Sequence, residues 1–334
     1  MNLLLTGATG FVGRNFLLHA IRSGRYEKIF LPLRSPEKLR AQLVGDGWDG
    51  IPTNVQTLTW SARDPLPEVP DPITDVVHCA GLLFGRTEQE FFETNVDATL
   101  RLLEKCQGAQ RIALLSSQAA AGPCLDASDR TELEVESPVT PYGRSKLAME
   151  QAVLKTFSHL PLVILRPPWI LGARDTSTLP LFKMARFPVR FKPGRREKAY
   201  SYIAVTDLVA AINQVLTASV DLATLAQRIF FVAQRDIVSD KQMIQTAAAA
   251  VKRMGITIFV PQPVLKGLVH TLGGIPWLRE AIPILSREKA PEIWPDRWVI
   301  SPRRFEMTFQ WKAQVELDTA MQETKDWYSR SGML

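Results

Sequence analysis

Three residues of this chain have types and spacing that suit acid–base chemistry: Ser117, Tyr142 and Lys146. Tyr142 and Lys146 lie four apart at the start of a segment with helical periodicity, so their side chains share one face, a turn apart. A lysine ammonium there would lower the phenol from its reference pKa near ~10. A phenol tuned in that way exchanges a proton with a substrate oxygen near neutral pH. Ser117, at the end of a predicted strand, would hydrogen-bond the same oxygen and steady developing charge. A Tyr–Lys pair at this spacing is also a common surface pair, so its meaning depends on the elements around it.

The first of those elements opens the chain. The apolar run Leu3-Leu4-Leu5 leads into Thr6-Gly7-Ala8-Thr9-Gly10-Phe11-Val12-Gly13 and then into the apolar-periodic residues Phe16, Leu17, Ala20 and Ile21. This reads as strand, tight turn and helix. Gly7 takes the turn, Gly10 lets a pyrophosphate approach the backbone, and Gly13 lets the helix pack on the sheet. The helix N-terminus offers N–H groups and a positive dipole end to phosphate. Thr9, Phe11 and Val12 belong to the same cradle. A nicotinamide dinucleotide bound here would add its own positive charge to that of Lys146 beside the phenol.

The next strand, Lys28 to Leu33, contains Pro32, which argues against a central, fully paired position. It ends at Arg34-Ser35. An acidic residue at this point would hold ribose hydroxyls, whereas a base accommodates a 2′-phosphate. Leu33 and Arg34 stand there, so NADP is expected over NAD, with Arg34 and Ser35 on the phosphate and Arg14 or Lys38 as helpers. Val55–Trp60 is a third strand, and Asp75–Gly81 a fourth, whose small Ala80 and Gly81 let the chain pass close to a cofactor. Ile112–Leu115 is the fifth, ending at Ser116-Ser117, and Leu162–Leu165 the sixth. Thr140-Pro141 signals a helix start, with Thr as N-cap. Strands alternating with helices predict an α/β fold, a doubly wound parallel Rossmann sheet with a smaller C-terminal substrate lobe. Residues 1–167 form the dinucleotide domain, with 202–233 returning to it, and 168–334 the substrate lobe.

Composition bounds the function. The chain has 334 residues, 46% hydrophobic, with a formal net charge of +6. That charge suits a phosphorylated cofactor, and no basic run is interleaved with aromatics, so nucleic acid is not an expected partner. Cys79, Cys106 and Cys124 form no disulfide framework or zinc spacing, and no metal is expected. The N-terminal strand has no basic leader region, and no apolar run reaches the ~18 residues of a membrane span, so a cytoplasmic location is expected. The apolar stretch Val264–Leu285 suits either a helix pair in the lobe's core or contact with lipid at a membrane surface. The basic segment from Lys183 to Lys198 suits either a diphosphate or a solvated loop. The eight tryptophans read mainly as core.

Thr6–Gly13, Asn95, Ser117, Tyr142, Lys146, Arg166-Pro167 and the stretch from Tyr202 to Asp207 together resemble the extended short-chain dehydrogenase/reductase superfamily, including its epimerase/dehydratase members. The resemblance implies a Ser-Tyr-Lys triad, with Asn95 and Pro167 near the cofactor, and relatives often pair as homodimers through helices like that of Tyr142. Gln118-Ala119 replace the acid pair of the dehydratases. Tyr200 replaces an arginine that clamps diphosphate in nucleotide-sugar epimerases, a role left to Lys198 or Arg196. Trp60-Ser61-Ala62 stand where an acid reads adenine. Ser116 to Pro123 is similar to 3β-hydroxysteroid dehydrogenase-like enzymes. Three functions follow: an NADP(H)-dependent oxidoreductase acting on a secondary alcohol or ketone of an apolar small molecule, a nucleotide-sugar epimerase or reductase, or a non-catalytic dinucleotide-binding scaffold.

Overall fold

The computed structural model describes every residue except Pro70 and residues 273–289. In chain order the first elements are β1 (Asn2–Thr6), α1 (Phe11–Ser23), β2 (Lys28–Leu33), α2 (Pro36–Gly45), β3 (Val55–Thr59) and β4 (Asp75–His78). There follow α3 (Glu88–Phe92), a π-helical turn Glu93–Asp97, α4 (Ala98–Glu104), β5 (Arg111–Leu115), α5 (Gln118–Ala121), α6 (Pro141–Thr156) and β6 (Leu162–Arg166). These strands and a later one form a seven-stranded sheet, parallel at every pairing. β1 is apolar at consecutive positions because both faces of the sheet are covered. Leu3 and Leu5 join one core with Phe16 and Leu17 of α1, and Leu4 joins the other with Leu102 of α4 and Met149 of α6. Each such side chain contributes roughly 1.5–3 kcal/mol by leaving water.

The second half begins with β7 (Trp169–Leu171), α7 (Leu179–Ala185), β8 (Val189–Pro193), β9 (Ala199–Tyr200), β10 (Tyr202–Ala204), α8 (Val205–Thr217) and β11 (Ile229–Phe231). It continues with β12 (Val238–Ser239), α9 (Asp240–Ala250), β13 (Ile256–Val260), α10 (Gln262–Leu272) and β14 (Arg297–Trp298), then α11 (Arg303–Phe309) and α12 (Leu317–Arg330). The large sheet runs β11-β6-β5-β4-β1-β2-β3. Its order reverses between β1 and β4, and ligands of such sheets bind at the carboxyl ends flanking that switch point. A separate core joins Leu171, Phe182, Tyr202, Ala247, Met321 and Tyr328, with the Phe182 and Tyr328 rings edge-on at 5.4 Å.

Two expectations change. Tyr202–Ala204 does not enter the large sheet: it pairs with β7, and α8 and β11 make the return, α8 packing beside α1. β2 is interior despite Pro32, because pairing with β1 is over by Phe30, leaving Pro32 a partner only on the β3 side. The apolar stretch Val264–Leu285 falls partly on α10, and the remainder, including Gly273-Gly274, lies outside the described residues. Among the described residues no helix is long and apolar enough to cross a membrane.

Candidate active site

The glycine turn follows β1 at the switch point. Gly7 adopts φ +74°, which L side chains rarely take, and a Cβ there would lie 2.6 Å from the Cys79 carbonyl carbon. A Cβ on Gly13 would lie 2.2 Å from the Gly7 oxygen, so only glycine lets α1 sit this close to the turn. Gly10 donates its N–H to Gly7 O at 2.9 Å and is the N-cap of α1 without a side-chain cap. The first N–H groups of that 13-residue helix, at Phe11 and Val12, therefore receive no side-chain cap from Gly10, and the first turn holds no acidic residue. This cradle fits a dinucleotide pyrophosphate. The Thr9 carbonyl takes a bond from Gln42 at 3.2 Å, tying the turn to α2.

Arg34 is exposed just past β2, and Ser35 caps α2 by accepting from Lys38 N at 3.1 Å. Ser35 also donates to Glu37 at 3.0 Å, so a carboxylate shares this corner. Arg14 is committed elsewhere: it pairs with Asp46 at 2.7 Å, and Arg174 pairs with the same carboxylate at 2.7 Å. Of the basic residues expected around a 2′-phosphate, Arg14 is thus spent on joining α1 to the loop after α2.

The three chemistry-bearing residues come together at the ends of β4 and β5. Ser117 follows β5 and caps α5, accepting from Ala119 N at 3.1 Å. Thr140 caps α6, and Tyr142 in its first turn hydrogen-bonds the Ser117 side chain. Gly143 makes this approach possible, since a Cβ there would lie 2.4 Å from the Ala119 oxygen and push α6 off α5. One turn on, the buried Lys146 donates to Leu115 O at 2.9 Å. A Cβ on Gly81 would lie 3.2 Å from both Lys146 Nζ and Asn95 Oδ1. Ala80 precedes it, and its N–H reaches Thr6 Oγ1 at 3.4 Å. Asn95 sits in the π-helical turn, accepts from Leu82 N at 2.7 Å and donates to Ser145 at 2.9 Å, fastening the loop after β4 to α6. Pro167 accepts from Gln118 N at 2.8 Å, tying the end of β6 to α5.

The electrostatics depart from expectation at Tyr142. Burial pushes the phenol up to about 12; its bond to Ser117 lowers it, and the nearby Glu292 and Glu150 carboxylates raise it. Burial also draws Lys146 down to about 8, against the pull of Glu150 and Cys79. Desolvation is the largest cause of both shifts because both side chains are withdrawn from water.

Three further features escape sequence reading. Glu150 is fully buried, receives a bond from Ser116 and pairs with Arg166 at 2.5 Å, which also reaches Glu136 at 3.1 Å. Tyr142, Lys146 and Glu150 follow one another at four-residue steps, and that face was the available signal. His78, pulled down to about 3 by burial and then by Lys146, lies between Thr6 at 2.6 Å and Thr99 at 2.9 Å. Thr99 donates to Asn95 O at 2.8 Å, so the network assigns the His78 proton to Nε2 and leaves Nδ1 accepting from Thr6. Glu292, distant in sequence, accepts from Thr140 at 3.2 Å. Two residues on, Trp294 lines a groove of about 740 Å³ with Ile258, Phe259, Leu265, Arg195 and Lys198. Trp60 and Trp298 are buried as core, unlike Trp294.

Comparison with known proteins places these features in context. The model of the NAD dependent epimerase/dehydratase family matches residues 3–225. The chain is 26% identical over 335 aligned residues to a ceramide reductase of Caulobacter vibrioides, covering 99% of this chain and 95% of that one. It is 25% identical to a decarboxylating sterol-4-alpha-carboxylate 3-dehydrogenase of Dictyostelium discoideum over 52% of this chain and 55% of the other. A UDP-glucuronic acid 4-epimerase from Bacillus cereus, solved in complex with NAD, shares the fold with a TM-score of 0.74 at 16% identity, covering 99% of both chains.

Proposed function

The chain belongs to the NAD dependent epimerase/dehydratase family, and we propose that it is an NADP(H)-dependent oxidoreductase interconverting a secondary alcohol and a ketone on an apolar, lipid-like small molecule. The observation that carries this reading is the hydrogen bond between Ser117 and Tyr142, with Lys146 one turn on and the glycine cradle beside them. When bound, the dinucleotide supplies hydride-transfer chemistry. The Tyr142 hydroxyl gives a proton to the substrate oxygen, or takes it back in the reverse direction. Ser117 donates to that oxygen and steadies its charge. Lys146, steered by the Leu115 carbonyl, holds the nicotinamide ribose. A phenol held up near 12 keeps its proton at neutral pH, which suits the reductive direction, where Tyr142 is the acid. Arg34 supports the preference for NADP, through charge rather than through an existing contact. Residues 168–334, apart from those returning to the large sheet, supply the substrate side.

The side chains that would have to clamp a diphosphate support an apolar substrate. Lys198 is buried and donates to the Ile293 carbonyl, Arg196 faces Asp296 at 3.3 Å, and Tyr200 stands where an arginine would serve. Ile258, Phe259, Leu265 and Trp294 give the groove apolar walls. The full-length likeness to a ceramide reductase points the same way. A nucleotide-sugar epimerase is the second reading, favoured by Arg195 and Arg196 at the groove, and tight binding of UDP would select it. Tyr142→Phe should lower kcat at least ~100-fold against a panel of long-chain and sterol ketones while NADPH binding is retained. Undiminished turnover would reject the role given to Tyr142.

A further inference from the structure

The two-stranded sheet β8–β13 has an inverted pattern. Arg190 and Lys192 of β8 point inward and are buried, Arg190 donating to Arg253 O at 2.8 Å and Lys192 pairing with Asp240 at 2.7 Å. Phe191 between them faces outward and is 54% exposed. Its register partner across the ladder is Ile258, and Ile256 on the same face is 64% exposed. The turn leading into β13 adds Met254, 95% exposed, and the turn leading into β8 adds the exposed Phe187. A soluble surface normally turns such side chains inward, and a contiguous exposed apolar face marks a contact site.

The segments that build this face carry charges of one sign, and the nearest carboxylates, Asp240 and Asp296, are paired with Lys192 and Arg196. Residues 176–196 and 241–272, which supply both strands and their flanks, contain no aspartate or glutamate. Lys183 and Arg186 at the end of α7 and Lys252 and Arg253 after α9 are exposed at its border. We propose that the outer face of β8–β13 docks on the surface of an anionic phospholipid bilayer, its apolar side chains entering the headgroup boundary and the bordering cations meeting lipid phosphates. A two-fold pairing with a second copy would bring two such cationic borders together, which disfavours it. Ile258 also lines the groove, so the docked face and the groove are continuous. The docking stands apart from the proposed reaction and is measured without turnover.

The test is co-sedimentation of the full chain with vesicles of phosphatidylcholine alone and of phosphatidylcholine mixed in equal amounts with phosphatidylglycerol. Sedimentation with the mixed vesicles, but not the neutral ones, is expected. Lys252→Glu with Arg253→Glu should weaken that binding at least about tenfold. Phe187→Asp with Met254→Asp, an independent pair at exposed positions, should do the same, with thermal melting as the check on folding. Failure to bind the mixed vesicles, or binding unchanged in both folded variants, overturns the proposal. So does a dimer in light scattering that the same substitutions dissolve, since the face would then join two copies.

Discussion

Arg34 stands exposed at the end of β2, next to the turn that would hold the pyrophosphate, and its value depends on whether a 2′-phosphate arrives. Because a guanidinium–phosphate bond is charge-assisted, Arg34→Ala should raise KM for NADPH about tenfold and leave KM for NADH within about twofold. Equal effects on both would assign Arg34 to the surface alone. Lys146 carries a second prediction. Burial brings its pKa from 10.5 to about 8, so between those values the folded chain has released a proton that the unfolded chain still holds. Stability then rises with pH across that window, because the unfolded state binds more protons. Thermal melts of Lys146→Met should show a shallower rise from pH 8 to 10.5 than the parent. An equal slope would mean that Lys146 stays charged in the fold.

Elements place these side chains through close backbone approaches that a single methyl would prevent. The turn between β1 and α1 closes on itself at Gly13, and α6 lies on α5 only because residue 143 lacks a Cβ. Overpacking against backbone cannot be relieved by a rotamer change. Gly13→Ala should therefore cost at least ~2 kcal/mol in chemical denaturation and weaken dinucleotide binding. Gly108→Ala, with nothing within 4 Å of the added carbon, should stay within about 0.5 kcal/mol of the parent. A mild effect at Gly13 would show that the turn can open without loss. The Glu150–Arg166 pair works at the same scale, locking α6 to β6 beneath the site.

The described residues form a large parallel sheet and a separate core from the second half of the chain, so a dinucleotide bound at the glycine turn should stabilise the folded chain as a unit. NADPH at about 100 times its Kd should contribute about 2.7 kcal/mol and raise Tm, more than NADH at equal concentration. Equal shifts would remove the preference for NADP. The sheet was legible in the sequence because apolar runs, glycine spacing and turn signals are local: β1, the cradle from Gly7 to Gly13 and the Thr140 cap follow from neighbouring residues. The spacing of Tyr142 and Lys146 was local too, and one further four-residue step reaches Glu150. The protonation balance was not, because burial, a property of the packed whole, drives Tyr142 up and Lys146 down. Nor was the pairing of Tyr202–Ala204 with β7, which depends on where the second half of the chain folds back. Local pattern by itself determined the Rossmann-like parallel sheet and the glycine turn after its first strand. Only the tertiary structure brought Glu292 to Thr140, spent Arg14 on Asp46 and Lys198 on a carbonyl, and turned Phe191 outward, because each contact joins residues whose separation along the chain carries no signal of their meeting.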